Sequence, residues 1–434
     1  MRAVYPFAAA SAGNFPTIRV RHPRSSLPAA VVASVAVCAC ATPRRVPPLA
    51  LVAPFAADSQ TVVDVAPGIV RRTLHLGRGP WVAHVLDVDP ARCWTLRAVK
   101  AGGAAVGRDS TLALARALDA AGAHVAGAVN ADFFSFAAPG VPVGLHVQDG
   151  ALITGPAFDA TSRPSLLVES DGRAHVTVVT ARGTLAAGGQ SIAVTFWNRG
   201  RTGQGDSPPN AASAARGLTL FDARYGRTID TVPGRLLLRL AAPPPGARRT
   251  AVVAIDSTAT ATLASGQLVA SLGPEAPAAQ RSALASLRAG IDSVTLDLAL
   301  DVPLPREAVS GGPRLVRGGE VAPEIDTFGD ASMRARNPRT AIGLTAAGHA
   351  LLVVVDGRQR GWSEGMTMRE LAELLQALGA ANALNLDGGG SSTLVVRDAS
   401  GALRVANRPS EGGTERAVGN ALAVVRGCAA AARP

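Results

Sequence analysis

Asn385-Leu386-Asp387-Gly388-Gly389-Gly390-Ser391-Ser392-Thr393 has the residue types and spacing to do chemistry. Alternation along a strand end sends Asn385 and Asp387 to one face and Leu384 and Leu386 to the other. The three glycines then remove every Cβ where a backbone would bend or admit a ligand, and three hydroxyl residues follow. Asn130-Ala131-Asp132 ends an earlier apolar stretch with a similar polar pair. Arg314 follows Gly311-Gly312-Pro313, Arg339 lies in Asn337-Pro338-Arg339-Thr340-Ala341-Ile342-Gly343, Asp356 precedes Gly357, and Glu411 and Arg416 come later. Carboxylates act as acid, base or stabiliser of a developing cation, whereas arginines and Gly-loop amides suit an anion. The combination fits a sugar phosphate. An Asp before Gly is commonly a turn residue, which is the competing reading for Asp356; the run around Asp387 asks for more than a turn.

Such residues need strands that end together. Leu351 to Val355 is a continuous apolar run that suits a strand buried on both faces, and it ends at Asp356. Thr367-Met368-Arg369-Glu370 reads as a capping box, Met368, Leu371, Leu374, Leu375 and Leu378 form one apolar stripe, and Gly379 stops the helix. Strand, helix and strand in this order predict a right-handed parallel crossover that puts Asp356 and Asp387 at the carboxyl edge of one sheet. Upstream, a helix capped by Ser110 and ended near Gly122 runs into the strand before Asn130. Leu114-Ala115, Leu118 and Gly122 echo Leu371-Ala372, Leu375 and Gly379, which raises an internal duplication.

Short strands are expected at Ile69 to Leu76, Trp81 to Val88 and Trp94 to Val99, with hairpins turning at Asp149-Gly150 and Asp171-Gly172. The expected fold is α/β in the mixed α+β sense: a β-rich sheet with crossover helices packed on it and an active site at strand carboxyl ends. The domain is expected over 61–427, with a β-rich insertion at about 185–300 and a tail at 428–434.

The chain of 434 residues carries a net charge of +11. Lys100 is its only lysine, the arginines are scattered, and no basic stripe or aromatic ladder accompanies them, so no nucleic-acid partner is expected. No protein partner is predicted either. Arginines at 19, 21 and 24 precede an apolar run from Leu27 to Ala39 that is too short to span a bilayer, so 1–40 reads as an export signal. Val37-Cys38-Ala39-Cys40 resembles a lipoprotein cleavage box, with membrane attachment through a lipidated Cys40 as the alternative to free secretion. Residues 41–60 read as a Pro/Ala-rich linker. Cys93 and Cys428 either form a disulfide in an oxidising compartment or stay as buried thiols.

No phosphate-binding GxxxxGK[ST] loop, GxSxG elbow, HExxH or paired-Cys motif occurs, and His84, His146 and His349 lie singly in strand patterns as core or surface residues. No cofactor is expected, and no spacing demands a metal, although a divalent ion at Asp356 or Asp387 is conceivable. The segments NPRTAIG from Asn337, Asp356-Gly357-Arg358, NLDGGGSST from Asn385, Asn407-Arg408-Pro409 and Glu415-Arg416, with VNADFF at Val129 and GGPRLVRGG at Gly311, resemble the phosphodiester glycosidase family. Ala131 stands where that family usually has glycine. The resemblance implies hydrolysis of the sugar C1–O bond of an N-acetylglucosamine-1-phosphodiester-like substrate on an envelope or extracellular glycan. It implies Asp387, Asp132 and Asp356 as catalytic residues. Asn130, Arg314, Arg339, Asn385, Gly388, Gly389, Gly390, Ser391, Ser392, Thr393 and Arg416 are the implied substrate contacts. The rival reading is an exported protein that binds a phosphodiester-containing polysaccharide without cleaving it, and the third is a purely structural β-rich domain.

Overall fold

The computed structural model describes residues 47–136, 140–156, 163–199, 215–230, 234–243, 247–257 and 260–427. The expected export signal with Cys40, the tail 428–434 and Cys428 lie outside the described residues.

The chain runs through β1 (Ser59–Ala66), β2 (Ile69–Leu76), β3 (Trp81–Val88), β4 (Trp94–Lys100), the helix Thr111–Leu118 and β5 (Val125–Asn130). Next come β6 (His146–Gln148), β7 (Ala151–Thr154), β8 (Pro164–Val168) and β9 (Ala174–Val178). A β-rich stretch holds β10 (Ala181–Ala187), β11 (Gln190–Trp197), β12 (Leu218–Asp222), β13 (Thr228–Asp230), β14 (Leu236–Ala241), β15 (Arg249–Asp256), β16 (Thr260–Thr262), β17 (Gln267–Leu272) and β18 (Ser293–Leu300). The C-terminal part holds β19 (Glu307–Ser310), β20 (Arg314–Arg317), β21 (Glu320–Val321), β22 (Arg339–Thr345), β23 (Ala350–Val355), the helix Met368–Ala377, β24 (Ala380–Asn385), β25 (Leu394–Arg397), β26 (Leu403–Val405) and β27 (Asn420–Arg426).

Two sheets make the body that carries the site. One has the order β1-β2-β3-β23-β22-β24-β20-β21 and the other β26-β25-β5-β27-β4. Between them Leu86, Ile342, Leu352, Val354 and Leu384 meet Leu96, Val129, Leu394, Leu422 and Val424 in one core. The outer face of the first sheet is covered by the helix Met368–Ala377, whose Leu371, Leu374 and Leu375 pack on Val353, Val355 and Ala383. Its capping box is complete: the Thr367 hydroxyl accepts from Glu370 N at 3.2 Å and the Glu370 carboxylate accepts from Thr367 N at 2.8 Å. Leu114, Ala115 and Leu118 of the other helix pack on Ala128, Ala421 and Ala423 of the second sheet. The layers are therefore helix, sheet, sheet, helix, a β-rich α+β arrangement.

The pairings within both sheets are antiparallel. β23 and β24 do run the same way, but β22 lies between them and opposes both. This corrects the expectation of neighbouring parallel strands, and the reason is local. β22 reaches β23 through a tight turn in which Thr345 N donates to His349 O and Gly348 N to Thr345 O, so the hairpin takes the pairing edge that a parallel neighbour would need. The first unit repeats the plan: β4, the helix Thr111–Leu118 and β5, with β27 between the two strands. Each unit then crosses over. β5 continues, beyond an excursion, to β20, β21 and β22 in the first sheet, whereas β24 continues to β25, β26 and β27 in the second. The two halves thus exchange their last three strands.

The excursion has two parts. β7-β6-β19-β8-β9 form a five-stranded sheet, and β10-β11-β12-β17-β14-β15-β18 close into a barrel filled by Leu185, Ile192, Leu220, Leu238 and Val252. The barrel's two ends meet, because Asp301 N donates to Thr180 O and the Thr180 amide and hydroxyl donate to the Asp301 carboxylate at 2.9 and 2.8 Å. Ahead of β1, Leu49 exchanges two hydrogen bonds with the Gln60 amide and Phe55 is buried against Trp81. Cys93 is disulfide-bonded, and Gly427 N donates to its carbonyl at 2.9 Å.

Candidate active site

The site forms where the ends of β5 and β24 cross from opposite sheets. Asp387 N donates to Ala131 O at 2.8 Å. Asn130, fully buried, donates from Nδ2 to Asp387 O at 2.6 Å, and its Oδ1 accepts from the Thr340 hydroxyl at 2.8 Å and from Thr393 N at 3.1 Å. One amide side chain thus fixes both ends of the glycine loop. Asp132 is buried, its N–H is held by Asn420 Oδ1 at 2.8 Å, and its Oδ2 accepts from Gly144 N at 2.9 Å. Its Oδ1 is buried without a partner. A Cβ on Gly144 would stand 2.3 Å from the Ser310 side chain, so only glycine brings its amide this close.

Burial pushes the Asp132 carboxyl up to about 6, against the opposing pull of Arg163, the Gly144 amide and Arg199. Burial also raises Asp387 to about 6, against the Ser391 hydroxyl, the Gly388 amide and Arg416, with the charge of Asp132 adding to the rise. The Gly388 amide donates to Asp387 Oδ1 at 2.9 Å; the Ser391 hydroxyl lies by the carboxyl outside good hydrogen-bond geometry. Both carboxyls are pushed up by burial, and the charge of Asp132 adds to the rise of Asp387, so near neutral pH one can be protonated while the other is ionised.

A cavity of about 580 Å³ is lined by Arg163, Arg314, Arg317, Glu324, Pro313 and Phe328 among others, and the charge of Arg163 acts on Asp132. Arg163 lies over the Phe133 ring at 5.0 Å and the Phe328 ring at 5.9 Å. Its Nη1 and the Nε of Arg314 are buried without partners, and burial with the neighbouring Arg317 lowers Arg314 from its ordinary value. Guanidinium nitrogens taken from water without an acceptor favour an anionic ligand. Asn385 holds the turn before Arg314: its Nδ2 donates to Gly312 O at 2.8 Å and Gly312 N returns to Asn385 O at 2.7 Å.

Other expected residues are used differently. Asp356 accepts from His84 Nε2 at 3.1 Å, Trp362 Nε1 at 2.9 Å, Asn407 Nδ2 at 3.1 Å and Arg408 N at 3.1 Å. Burial alone would raise its carboxyl, but the His84, Trp362 and Asn407 donors outweigh it and hold the group below its ordinary value. Both oxygens are committed to protein, so Asp356 ties the 407–408 loop to the sheet edge. Arg339 donates from Nε to Met366 O at 2.8 Å and from Nη2 to Met333 O and Ala335 O at 2.7 Å each, which anchors the loop before β22. The glycine loop departs from a phosphate cradle too. Gly389 N donates to Pro338 O, Ser391 N to Gly388 O, Ser392 N to Gly389 O and Thr393 N to Asn130, so these amides are spent within the fold. The Ser392 and Thr393 hydroxyls are buried without partners. Arg416 pairs with Glu411 above Gly390, where an added Cβ would strike both side chains. Among the described residues, no group of three or more His, Cys, Asp or Glu could hold a metal ion.

Sequence reasoning did not single out Gly144, Arg163, Arg199 or Asn420, and read His146 as a core or surface residue, which its complete burial bears out. Arg163 and Arg199 sit in loops without periodicity, and Asn420 opens a strand as an ordinary polar residue. Only the Val-Gly-Asn step before β27, with a buried Asn at a strand start, hinted at a constraint.

The family model described as phosphodiester glycosidase matches residues 248–425. Over this stretch the chain resembles the phosphodiester glycosidases. The matched residues include Arg314, Arg339, Asp356, Asp387 and Arg416, while Asn130 and Asp132 lie upstream of them. The SPbeta prophage-derived uncharacterized protein YomE of Bacillus subtilis strain 168 is 36% identical over 94 residues, 22% of this chain and 14% of that protein. Among solved structures, a hypothetical protein from Synechocystis shares the fold at TM-score 0.66 and 21% identity, over 85% of this chain and 64% of that one. A protein of Burkholderia pseudomallei K96243 described as exported aligns at TM-score 0.60 and 29% identity, over 80% of this chain and 74% of that one. The chain therefore spans less than two thirds of the Synechocystis protein and a small part of YomE. Among the described residues, no helix is long and apolar enough to cross a membrane.

Proposed function

We propose that the protein is a glycosyl-phosphodiester hydrolase that cleaves the C1–O bond of a sugar-1-phosphodiester, releasing free sugar and a phosphomonoester. The observation that carries this reading is the crossing of two strand ends that brings Asp132 and Asp387 together, each raised to about 6, with Arg163 of the arginine-lined cavity acting on Asp132 by its charge. A phosphate is a good leaving group, so the protein has mainly to stabilise an oxocarbenium-like centre at C1, position water and hold the departing anion. In this reading the ionised member of the pair stabilises C1 or takes the proton of the attacking water. The hydroxide of that water ends on C1 and its proton on the released phosphate. Arg163 and Arg314 receive the phosphate through their unpartnered nitrogens. The family match supports the hydrolase class, and the motif resemblance supports N-acetylglucosamine as the sugar.

The test is to incubate the purified protein, lacking residues 1–40, with a panel of sugar-1-phosphodiesters that includes the methyl diester of N-acetylglucosamine-1-phosphate, and to assay free reducing sugar. Turnover is expected, and it is expected to survive EDTA. Saturable binding without sugar release would replace this reading by the polysaccharide-binding one. Export, as a secreted or envelope-attached protein, is supported by the N-terminal apolar run and by the likeness to a protein described as exported. Mass spectrometry of the mature N-terminus distinguishes lipidation at Cys40 from simple cleavage.

A further inference from the structure

Behind Asp132 lies a polar group that the proposed chemistry does not use. The first residues of β6 and β27 and the last residue of β4 carry His146, Asn420 and Lys100; the first two are completely buried, and Lys100 is 3% exposed. Asn420 serves the β5 end twice. Its main-chain carbonyl accepts from Ala131 N at 3.1 Å and its Oδ1 from Asp132 N at 2.8 Å. For Oδ1 to accept, Nδ2 must point the other way, and there it meets His146 Nδ1 at 3.0 Å. An amide NH₂ can only donate, so Nδ1 must be the bare nitrogen and Nε2 must carry the proton. The orientation of one side chain thus dictates the tautomer of the next.

We infer that His146, acting through Asn420, is a positioning residue that fixes the turn presenting the Asp132 carboxylate. The inference rests on the catalytic role proposed above for Asp132. The same short segment grips Asp132 a second time, since Gly144 N donates to Asp132 Oδ2 and Gly144 O accepts from the Thr154 hydroxyl at 2.8 Å. Asp132 is thus held by two oriented bonds, one from Gly144 directly and one from Asn420, which His146 orients. A second proton on the imidazole would turn Nδ1 into a donor facing the Asn420 NH₂. The amide would then flip and face the Asp132 N–H with another N–H. The surroundings oppose that proton: burial first, and second Lys100, itself lowered by burial to about 7 and so charged on the acid side, hold His146 down to about 3, against a smaller pull from Gln148. Lys100 itself donates to Gly107 O. The charged groups that act on Asp132 from its other sides are Arg163, Arg199 and Asp387.

The test uses the full chain and needs no substrate for its first arm. Imidazole nitrogen NMR is expected to show His146 bare at Nδ1, protonated at Nε2 and unchanged from about pH 8 to pH 5; a proton on Nδ1, or titration near the ordinary value of about 6.5, overturns the inference. The second arm measures turnover of methyl N-acetylglucosamine-1-phosphate diester. His146→Asn keeps an acceptor where Nδ1 stands and is expected to retain kcat within about fivefold. His146→Gln, whose acceptor reaches the Nε2 position instead, is expected to lose about 10- to 100-fold in kcat with KM little changed. Equal kcat in the two variants, at comparable thermal stability, overturns the positioning role. Asp132→Asn run beside them separates the two levels: full activity there removes the catalytic reading itself, whereas an inactive Asp132→Asn with a fully active His146→Gln removes only this inference.

Discussion

A carboxylate's work is set by what surrounds it, and three aspartates at neighbouring strand ends have two different settings. Asp356 is held by four donors. Replacing it with Ala should cost about 3 kcal/mol or more, because the buried His84, Trp362 and Asn407 donors lose their acceptor; urea unfolding measures this. Asp132 and Asp387 are costly to ionise. Their protonated forms favour the folded state, a contribution complete below the ordinary 3.8 and lost as pH rises through about 6. Asp132→Asn or Asp387→Asn should therefore raise the melting temperature at pH 7 while lowering kcat at least ~100-fold. A variant that is inactive but no more stable than the parent would contradict the raised values. Activity that needs one proton on the pair should peak on the acid side of neutrality, with both limbs belonging to the pair.

At the scale of elements, the strand-helix-strand grammar was legible because it rests on local rules: the Thr367 capping box, the leucine stripe and Gly379 all appear as read. Sheet direction was not. A crossover tells which way two strands run and not what slips between them, and β22 enters from a hairpin whose pairing is decided by tertiary register. The site was half legible for the same reason. Asp387 and Asp132 announce themselves through local runs, but where the Arg339 guanidinium ends up depends on how the short helix Ala331–Arg334 and Ala335 fold. Gly311 gives a sharp element-level test. A Cβ there would lie 2.2 Å from the Asn385 carbonyl oxygen, a backbone atom fixed in β24. Gly311→Ala should destabilise by about 2 kcal/mol or more. Gly390→Ala meets only the tips of Glu411 and Arg416, so it should leave the fold intact and shift KM; thermal melts and kinetics on the two variants separate the cases.

Across the whole molecule, the barrel is more than an appendage. Its ends close on Thr180 and Asp301, yet Arg199, just past β11, lowers the pKa of Asp132. Arg199→Gln should therefore move the apparent pKa values of the carboxylate pair upward, read as a displacement of the pH–rate profile to higher pH. An unmoved profile would confine the barrel to a role away from the chemistry. The barrel's position was not legible because the residues linking it to the site lie in aperiodic loops, where composition carries no direction.

The exchange of strands between the halves also has a consequence in time. Neither half holds a finished site: the loop after Asp387 docks on Asn130, made hundreds of residues earlier, and Asp132 waits for Asn420 at the start of β27. During synthesis the two aspartates can be set in place only after nearly the whole chain has left the ribosome. Competence arrives in one late step, and a chain cut short before β27 would have the aspartates without the means to aim them.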